Sequence, residues 1–240
     1  MKERVVTVDI GCGRNNNLYL YGFGEDEPTT AIDLHRPFLR DRLSTNGLLG
    51  NLVQADGACL PVGSESVDRV FCIHTLEHVD DYYGTLDEMA RVVKPGGEII
   101  IAVPHMRFER VMGVLSEAYF SPELHQRVIS GQKLKQDLES KGFTVEDCRS
   151  RRPTSAVLIT MSYLLHLRIL NDRKIEPYSG CLVTCGTGSP EISSRNGFSH
   201  LKTLVRKLAD SNLASLIFDR VYPFETCVEA RKNSTSLNLC

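Results

Sequence analysis

The sequence predicts an α/β protein built on a doubly wound, mostly parallel sheet, and three observations carry that prediction. Apolar runs of strand length alternate with helical stretches over roughly the first hundred residues, the pattern of parallel strands joined by crossover helices. The first run, Val5-Val6-Thr7-Val8-Asp9-Ile10, ends on the turn Gly11-Cys12-Gly13, as a buried strand does when it delivers the chain close to a ligand. The run Glu98 to Val103 is almost wholly apolar, which places it centrally, covered on both faces.

The elements follow in order. After the glycine turn, Leu18 to Phe23 has room for only a short helix before the acidic stretch Gly24 to Pro28. A second strand, Thr30 to Ile32, ends at Asp33, and a helix from about Pro37 to Thr45 leads to a third strand, Asn51 to Ala55, which ends at Asp56-Gly57. The fourth strand, Ser66 to Ile73, runs directly into His74-Thr75-Leu76-Glu77-His78. The helix Asp81 to Val93 sets Leu86, Met89, Ala90 and Val93 on one face and stops at Lys94-Pro95-Gly96-Gly97. Beyond the fifth strand, Gln132 to Lys141 reads as a helix closed by Gly142, Phe143 to Cys148 as a sixth strand, and Phe224 to Ala230 as a last one.

Composition narrows the function classes. A chain of 240 residues with 42% hydrophobic content fits one large domain or a domain with a cap. The net charge of −2 argues against an extended nucleic-acid footprint. Eight cysteines are scattered through strands and loops with no signal peptide before the first strand, which predicts free thiols and a cytoplasmic location. Cys181 and Cys185 lack a second pair and read as residues of a Gly/Ser-rich loop, so no metal site is expected there.

The glycine turn admits two nucleotide readings. A dinucleotide fingerprint requires a third glycine, and here Arg14-Asn15-Asn16-Asn17 occupies that place. Asp33, twenty residues after Gly13, can accept hydrogen bonds from both ribose hydroxyls, and a second acidic strand end at Asp56 suits an adenine amino group.

The ordered set Asp-Ile-Gly-Cys-Gly, Ile32-Asp33, Ala55-Asp56-Gly57, Pro61 to Val70, His-Thr-Leu-Glu-His-Val and Leu86 to Gly97 resembles the class I S-adenosylmethionine (SAM)-dependent methyltransferases of the small-molecule type. The resemblance covers roughly residues 5 to 148. It implies a Rossmann-like, seven-stranded sheet, a SAM-binding core at 1–150, and a final antiparallel edge strand at 223–231 followed by a tail at 232–240. It implies SAM as cofactor, S-adenosylhomocysteine as product, and Asp9, Gly11, Cys12, Gly13, Asp33, Leu34, Asp56, Gly57 and His74 as the residues that meet the cofactor. The remaining stretch, 151–222, carries an apolar helix Ser155 to Leu170, a Gly/Ser/Pro loop and a helix His200 to Ala209, and reads as an inserted cap over the acceptor site. The first of these helices is too short and too interrupted to span a bilayer.

Methyl transfer is an in-line displacement in which alignment supplies most of the rate. The acceptor expected is a small molecule, a lipid-linked compound or a saccharide among the candidates, methylated at a hydroxyl. RNA or protein methylation and a catalytically inactive SAM-binding protein are the alternatives. His105, directly after the fifth strand, is the candidate general base, with His125 in reserve. His74-x-x-Glu77-His78 also spells an inverted zinc-protease pattern, but its position at a strand tip within the methyltransferase order of motifs argues against a metal.

Overall fold

The computed structural model describes residues 5–14, 18–21, 28–45, 50–115, 120, 125–151, 160 and 223–234. The strands are β1 (Thr7–Ile10), β2 (Thr29–Asp33), β3 (Gly50–Gln54), β4 (Val67–Ile73), β5 (Val93–Pro104), β6 (Phe143–Arg151) and β7 (Glu225–Lys232). The helices are α1 (Arg36–Thr45), α2 (Tyr82–Val92), α3 (Met106–Leu115) and α4 (Gly131–Ser140), with a 3₁₀ turn at Leu18–Tyr21. The sheet order is β3-β2-β1-β4-β5-β7-β6. Four ladders are parallel, and β7 pairs antiparallel with both β5 and β6.

The central strands are buried on both sides because their two faces meet different layers. Val70 and Cys72 of β4 and Ile99, Ile101 and Val103 of β5 join Leu86, Met89 and Val92 of α2 in one core. The alternate residues Phe71, Ile73, Ile100 and Ala102 pack on the other face with Leu18 and Cys227. The helix α2 begins where the Asp81 carboxylate accepts the Gly84 N–H. It ends one residue earlier than its periodicity predicts, because Val93 has already turned extended and pairs with Val67. The fifth strand therefore starts at Val93 rather than Glu98, with a register shift that takes up Lys94 to Gly97.

The expected role of the last strand needs correction. Residues 223–231 do not form an edge. The strand β7 is hydrogen-bonded on both sides, to β5 from Glu98↔Arg231 to Pro104↔Glu225 and to β6 from Phe143↔Lys232 to Arg151↔Glu225. The edge is β6, whose residues are all exposed or part-exposed except Phe143. The resemblance alone carried the edge assignment, and β7 is instead mostly buried, Glu225 and Thr226 included. The expected cap over 151–222, with its helices Ser155 to Leu170 and His200 to Ala209, lies outside the described residues apart from 151 and 160. Among the described residues no helix is long and apolar enough to cross a membrane.

Candidate cofactor and acceptor site

The parallel strands β1, β2 and β4 all end at one edge, and the glycine turn lies there. The N–H groups of Gly11 and Cys12 both donate to the Ile32 carbonyl, at 2.8 and 3.0 Å, fastening the turn to β2. Gly11 and Gly13 have φ of +68° and +58°. The two glycines serve different ends. A Cβ on Gly11 would lie 2.2 Å from Thr75 Oγ1, which itself sits 3.3 Å from the Ile10 and Gly11 carbonyl oxygens. A Cβ on Gly13 would meet nothing within 4 Å among the described residues. Gly11 is thus small because the β4 tip packs against it, whereas the space before Gly13 is open to a ligand.

Asp33 closes the turn from the side. Its carboxylate accepts the Gly13 N–H at 2.9 Å and the His35 N–H at 2.8 Å, and each oxygen retains a lone pair for a further donor. Leu34, directly beyond it, leaves an apolar side chain 55% exposed at the strand tip. Asp56 is exposed and accepts the Ala58 N–H at 2.9 Å, while Gly57 is close-packed, its Cβ position 3.2 Å from Thr85 Cγ2. The buried Cys12 thiol is pushed up by burial, with the Asp9 charge adding to the effect, so Cys12 offers its backbone rather than a nucleophile.

Asp9 turns away from the open space. Its carboxylate meets the Arg42 guanidinium at 3.1 Å, and the same nitrogen donates to the Cys12 carbonyl at 2.7 Å. Both side chains are buried, at 4% and 1% exposure. Burial raises the Asp9 carboxyl more than Arg42 lowers it. The Asp9–Arg42 pair therefore holds the turn from below. Sequence reasoning missed Arg42, because an arginine in a polar ten-residue helix reads as a solvated face.

His74 sits at the β4 tip with φ +51°, fully enclosed. Its Nε2 lies 2.8 Å from Glu225 Oε2, which also accepts the Tyr21 hydroxyl at 2.9 Å, and its Nδ1 lies 3.5 Å from Glu77 Oε1. Burial lowers the imidazole, but the two glutamates outweigh it and hold the ring protonated, with its pKa raised to about 10. His105 begins α3. Its N–H donates to Phe224, its carbonyl accepts from Glu109 N–H, and its Nδ1 accepts the Arg107 N–H at 3.1 Å. Burial and the Arg107 charge lower its pKa. With Nδ1 engaged as an acceptor, the neutral ring carries its proton on Nε2 and presents a donor there. His125 donates or accepts at Nδ1 with Glu109 Oε1 at 2.8 Å, and its ring stands edge-on to His78 at 4.8 Å.

A profile of the methyltransferase domain family matches residues 8–101. Over the stretch from β1 to β5 the chain is thus similar to the methyltransferase domain family. Over 167 residues the chain is 29% identical to the ubiquinone/menaquinone biosynthesis C-methyltransferase UbiE of Francisella philomiragia, covering 67% of this chain and 65% of that one. It is 28% identical over 153 residues to the protein of the same name from Vibrio parahaemolyticus, covering 61% of this chain and 58% of that one. The chain thus spans about three-fifths of the length of these relatives. Among solved structures, the methyltransferase-like subunit in a Haloferax volcanii complex with the activator Trm112 superposes with TM-score 0.57 at 14% identity, covering 97% of this chain and 84% of that chain. A SAM-dependent methyltransferase from Archaeoglobus fulgidus gives 0.55 at 18% identity, covering 96% and 87%.

On this core the predicted residues divide into two groups. Gly11, Gly13, Asp33, Leu34, Asp56 and Gly57 lie along the ends of β1, β2 and β3. Asp9, Cys12 and His74 face inward. Glu77, Glu109, His125 and Glu225, which surround His74 and His78, come from four separate segments. The His-x-x-Glu-His spacing signalled Glu77, and His125 was a reserve candidate for the base, but nothing in the sequence marked Glu109 or Glu225.

Proposed function

We propose that this chain transfers a methyl group from SAM to a carbon of a small-molecule acceptor. The observation that carries the reading is the turn at Gly13, left-handed, open in front, and with its N–H held by an acidic strand end. The residues fit the cofactor: Asp33 has lone pairs for ribose hydroxyls, Leu34 an uncovered apolar surface for adenine, and Asp56 a carboxylate for the adenine amino group. SAM held by these residues would supply a sulfonium methyl, whose bond to sulfur would break as an acceptor carbon took it, with the carbon's proton passing to solvent and S-adenosylhomocysteine left as product. The curated relatives are named for C-methylation in quinone biosynthesis, which supports a carbon acceptor in place of the hydroxyl expected from sequence.

The chain's own contribution is positioning, which can be worth effective molarities of about 10⁵–10⁸ M. His105 enters as the residue that starts α3 and directs it along the β5 end, since its Nδ1 lone pair is spent on Arg107. The test is S-adenosylhomocysteine release from the purified chain across hydroquinones, phenols and sugars, with NMR of a ¹³C-methyl product to separate carbon from oxygen. Carbon-linked methyl is expected. Tighter binding of NAD than of SAM would overturn the cofactor, and SAM binding with no turnover on any acceptor would favour a binding protein. His105→Ala should leave kcat within about threefold; a loss of about 10²-fold or more would make it the base.

A further inference from the structure

We propose that Glu77, His78 and His125 form a binding site for one divalent transition-metal ion beside the glycine turn. One carboxylate and two imidazoles offer ligand atoms that all lie within 4.8 Å of one another, the single such group among the described residues. Around a metal with bonds of about 2.0–2.2 Å, tetrahedral ligands stand roughly 3.3–3.5 Å apart, so closure is a matter of side-chain adjustment. Two segments distant in sequence supply the ligands. Glu77 and His78 follow the β4 tip, and His125 precedes α4. The two segments are tied together, because the Gln126 N–H donates to the Glu77 carbonyl at 2.9 Å and the Gln126 side-chain amide to that of His78 at 3.0 Å.

A second observation points to a cation. The Glu77 side chain is 1% exposed, and among the described residues neither carboxylate oxygen accepts a hydrogen bond. The nearest donors stand off, with His74 Nδ1 at 3.5 Å and His78 Nε2 at 3.8 Å from Oε1. The protonated His74 ring balances the Glu77 charge without a hydrogen bond to either oxygen, and a metal ion at the His78 and His125 nitrogens would supply the direct contact these oxygens lack. His125 already has the outer support such a ligand needs, since its Nδ1 meets the buried Glu109 carboxylate at 2.8 Å. A carboxylate on Nδ1 fixes the tautomer whose Nε2 lone pair is available to a metal. The donor set of two nitrogens and one carboxylate suits zinc, cobalt, manganese or iron rather than magnesium or calcium, which favour oxygen alone. Three protein ligands leave at least one position for water or for an oxygen of another molecule.

The experiment uses the untagged full chain, stripped with chelator and titrated with Zn²⁺ and with Co²⁺. Calorimetry should give one zinc per chain, and Co²⁺ should give a visible spectrum of nitrogen and oxygen ligation. His78→Asn and His125→Asn should each weaken zinc by more than the about 10–100-fold that loss of an outer partner costs, and Glu109→Gln should fall within that range. Circular dichroism establishes that each variant is folded; should either histidine variant unfold, Glu109→Gln and the Co²⁺ spectrum of the unaltered chain still decide. A sulfur-to-cobalt charge-transfer band would move the site to the cysteines and overturn the proposal. So would zinc affinity unchanged in the folded variants, or no saturable binding at micromolar metal.

Discussion

Replacing Arg42 by methionine removes the one buried cation opposite Asp9 while keeping an unbranched side chain of similar length in its place. The Arg42 side chain is 1% exposed and that of Asp9 is 4% exposed, so water cannot take over the lost contact. Breaking a buried pair by removing one partner costs about 3–5 kcal/mol, because the remaining charge is left uncompensated. For a domain of this size each kcal/mol lowers Tm by about 2–4 °C, so a fall of roughly 6–20 °C is expected. The variant also removes the 2.7 Å donor to the Cys12 carbonyl, which loosens the turn itself. The sign of the pH dependence follows from Asp9. Burial already raises its carboxyl in the intact chain, and without Arg42 nothing opposes that push. A folded-state pKa above the unfolded value means stability that is present at low pH and lost as pH rises, so the variant's deficit should shrink on acidification. Adding Asp9→Asn to Arg42→Met should recover part of the loss, with a coupling of about 0.5–3 kcal/mol. Urea denaturation of the four proteins from pH 5 to pH 8 measures this. A single-variant loss below about 1 kcal/mol, or a deficit that grows as pH falls, would refute the argument.

The two glycines should separate in a similar comparison. Gly13→Ala is expected to lose only the left-handed penalty of about 1–2 kcal/mol and to weaken SAM tenfold or more, whereas Gly11→Ala adds a clash with Thr75 and should cost clearly more in thermal stability; equal melting losses would contradict the assignment. Asp33→Asn keeps the shape of the side chain but removes its charge, and calorimetry should show SAM weakened by about 1.5–3 kcal/mol, roughly 10–150-fold. An unchanged Kd would remove Asp33 from the site. Glu88 grips Arg91 through Nε at 2.6 Å and Nη2 at 2.7 Å and accepts the Leu60 N–H at 2.7 Å, contacts that hold its carboxyl below the usual range despite some burial. Because the pair is part-exposed, Glu88→Gln should cost only about 1 kcal/mol at neutral pH. That stability exists above the unfolded carboxylate pKa and is lost as pH falls through the lower folded value, so a deficit undiminished at about pH 3 would be the wrong result.

What could be read without coordinates was whatever has a local cause. Apolar runs ending on Asp33 and on Ile73, and Asp81 three residues before Gly84, announce their elements through side chains a few positions apart, and those elements fall within a few residues of expectation. The open part of the site was legible for the same reason, since Gly13 and Asp33 stand at strand ends fixed by periodicity. What stayed hidden depends on distant partners. Nothing near Glu225 in the chain says that it will meet His74 and Tyr21, and nothing near Arg42 marks it as buried. The place of β7 was misjudged because the edge assignment was carried over from the family resemblance, whereas strand order follows from which ladders close, and a strand's own residues describe its faces but not its neighbours.

The insertion of β7 between β5 and β6 has a bearing on how the chain comes into being. Synthesis proceeds from the N-terminus, and every described strand but one has been made by residue 151, yet among the described strands β6 has no partner and β5 an open flank until residues 225–232 emerge. Across that interval the apolar β5 offers a full row of unpaired backbone groups, the condition under which nascent sheets add strands from the wrong molecule. The last strand then acts as a latch, closing both ladders in one event and delivering Glu225 to His74 from 151 positions away. Such long-range closure is slow relative to local pairing. Completion of the sheet and burial of the His74 charge are therefore the same late step.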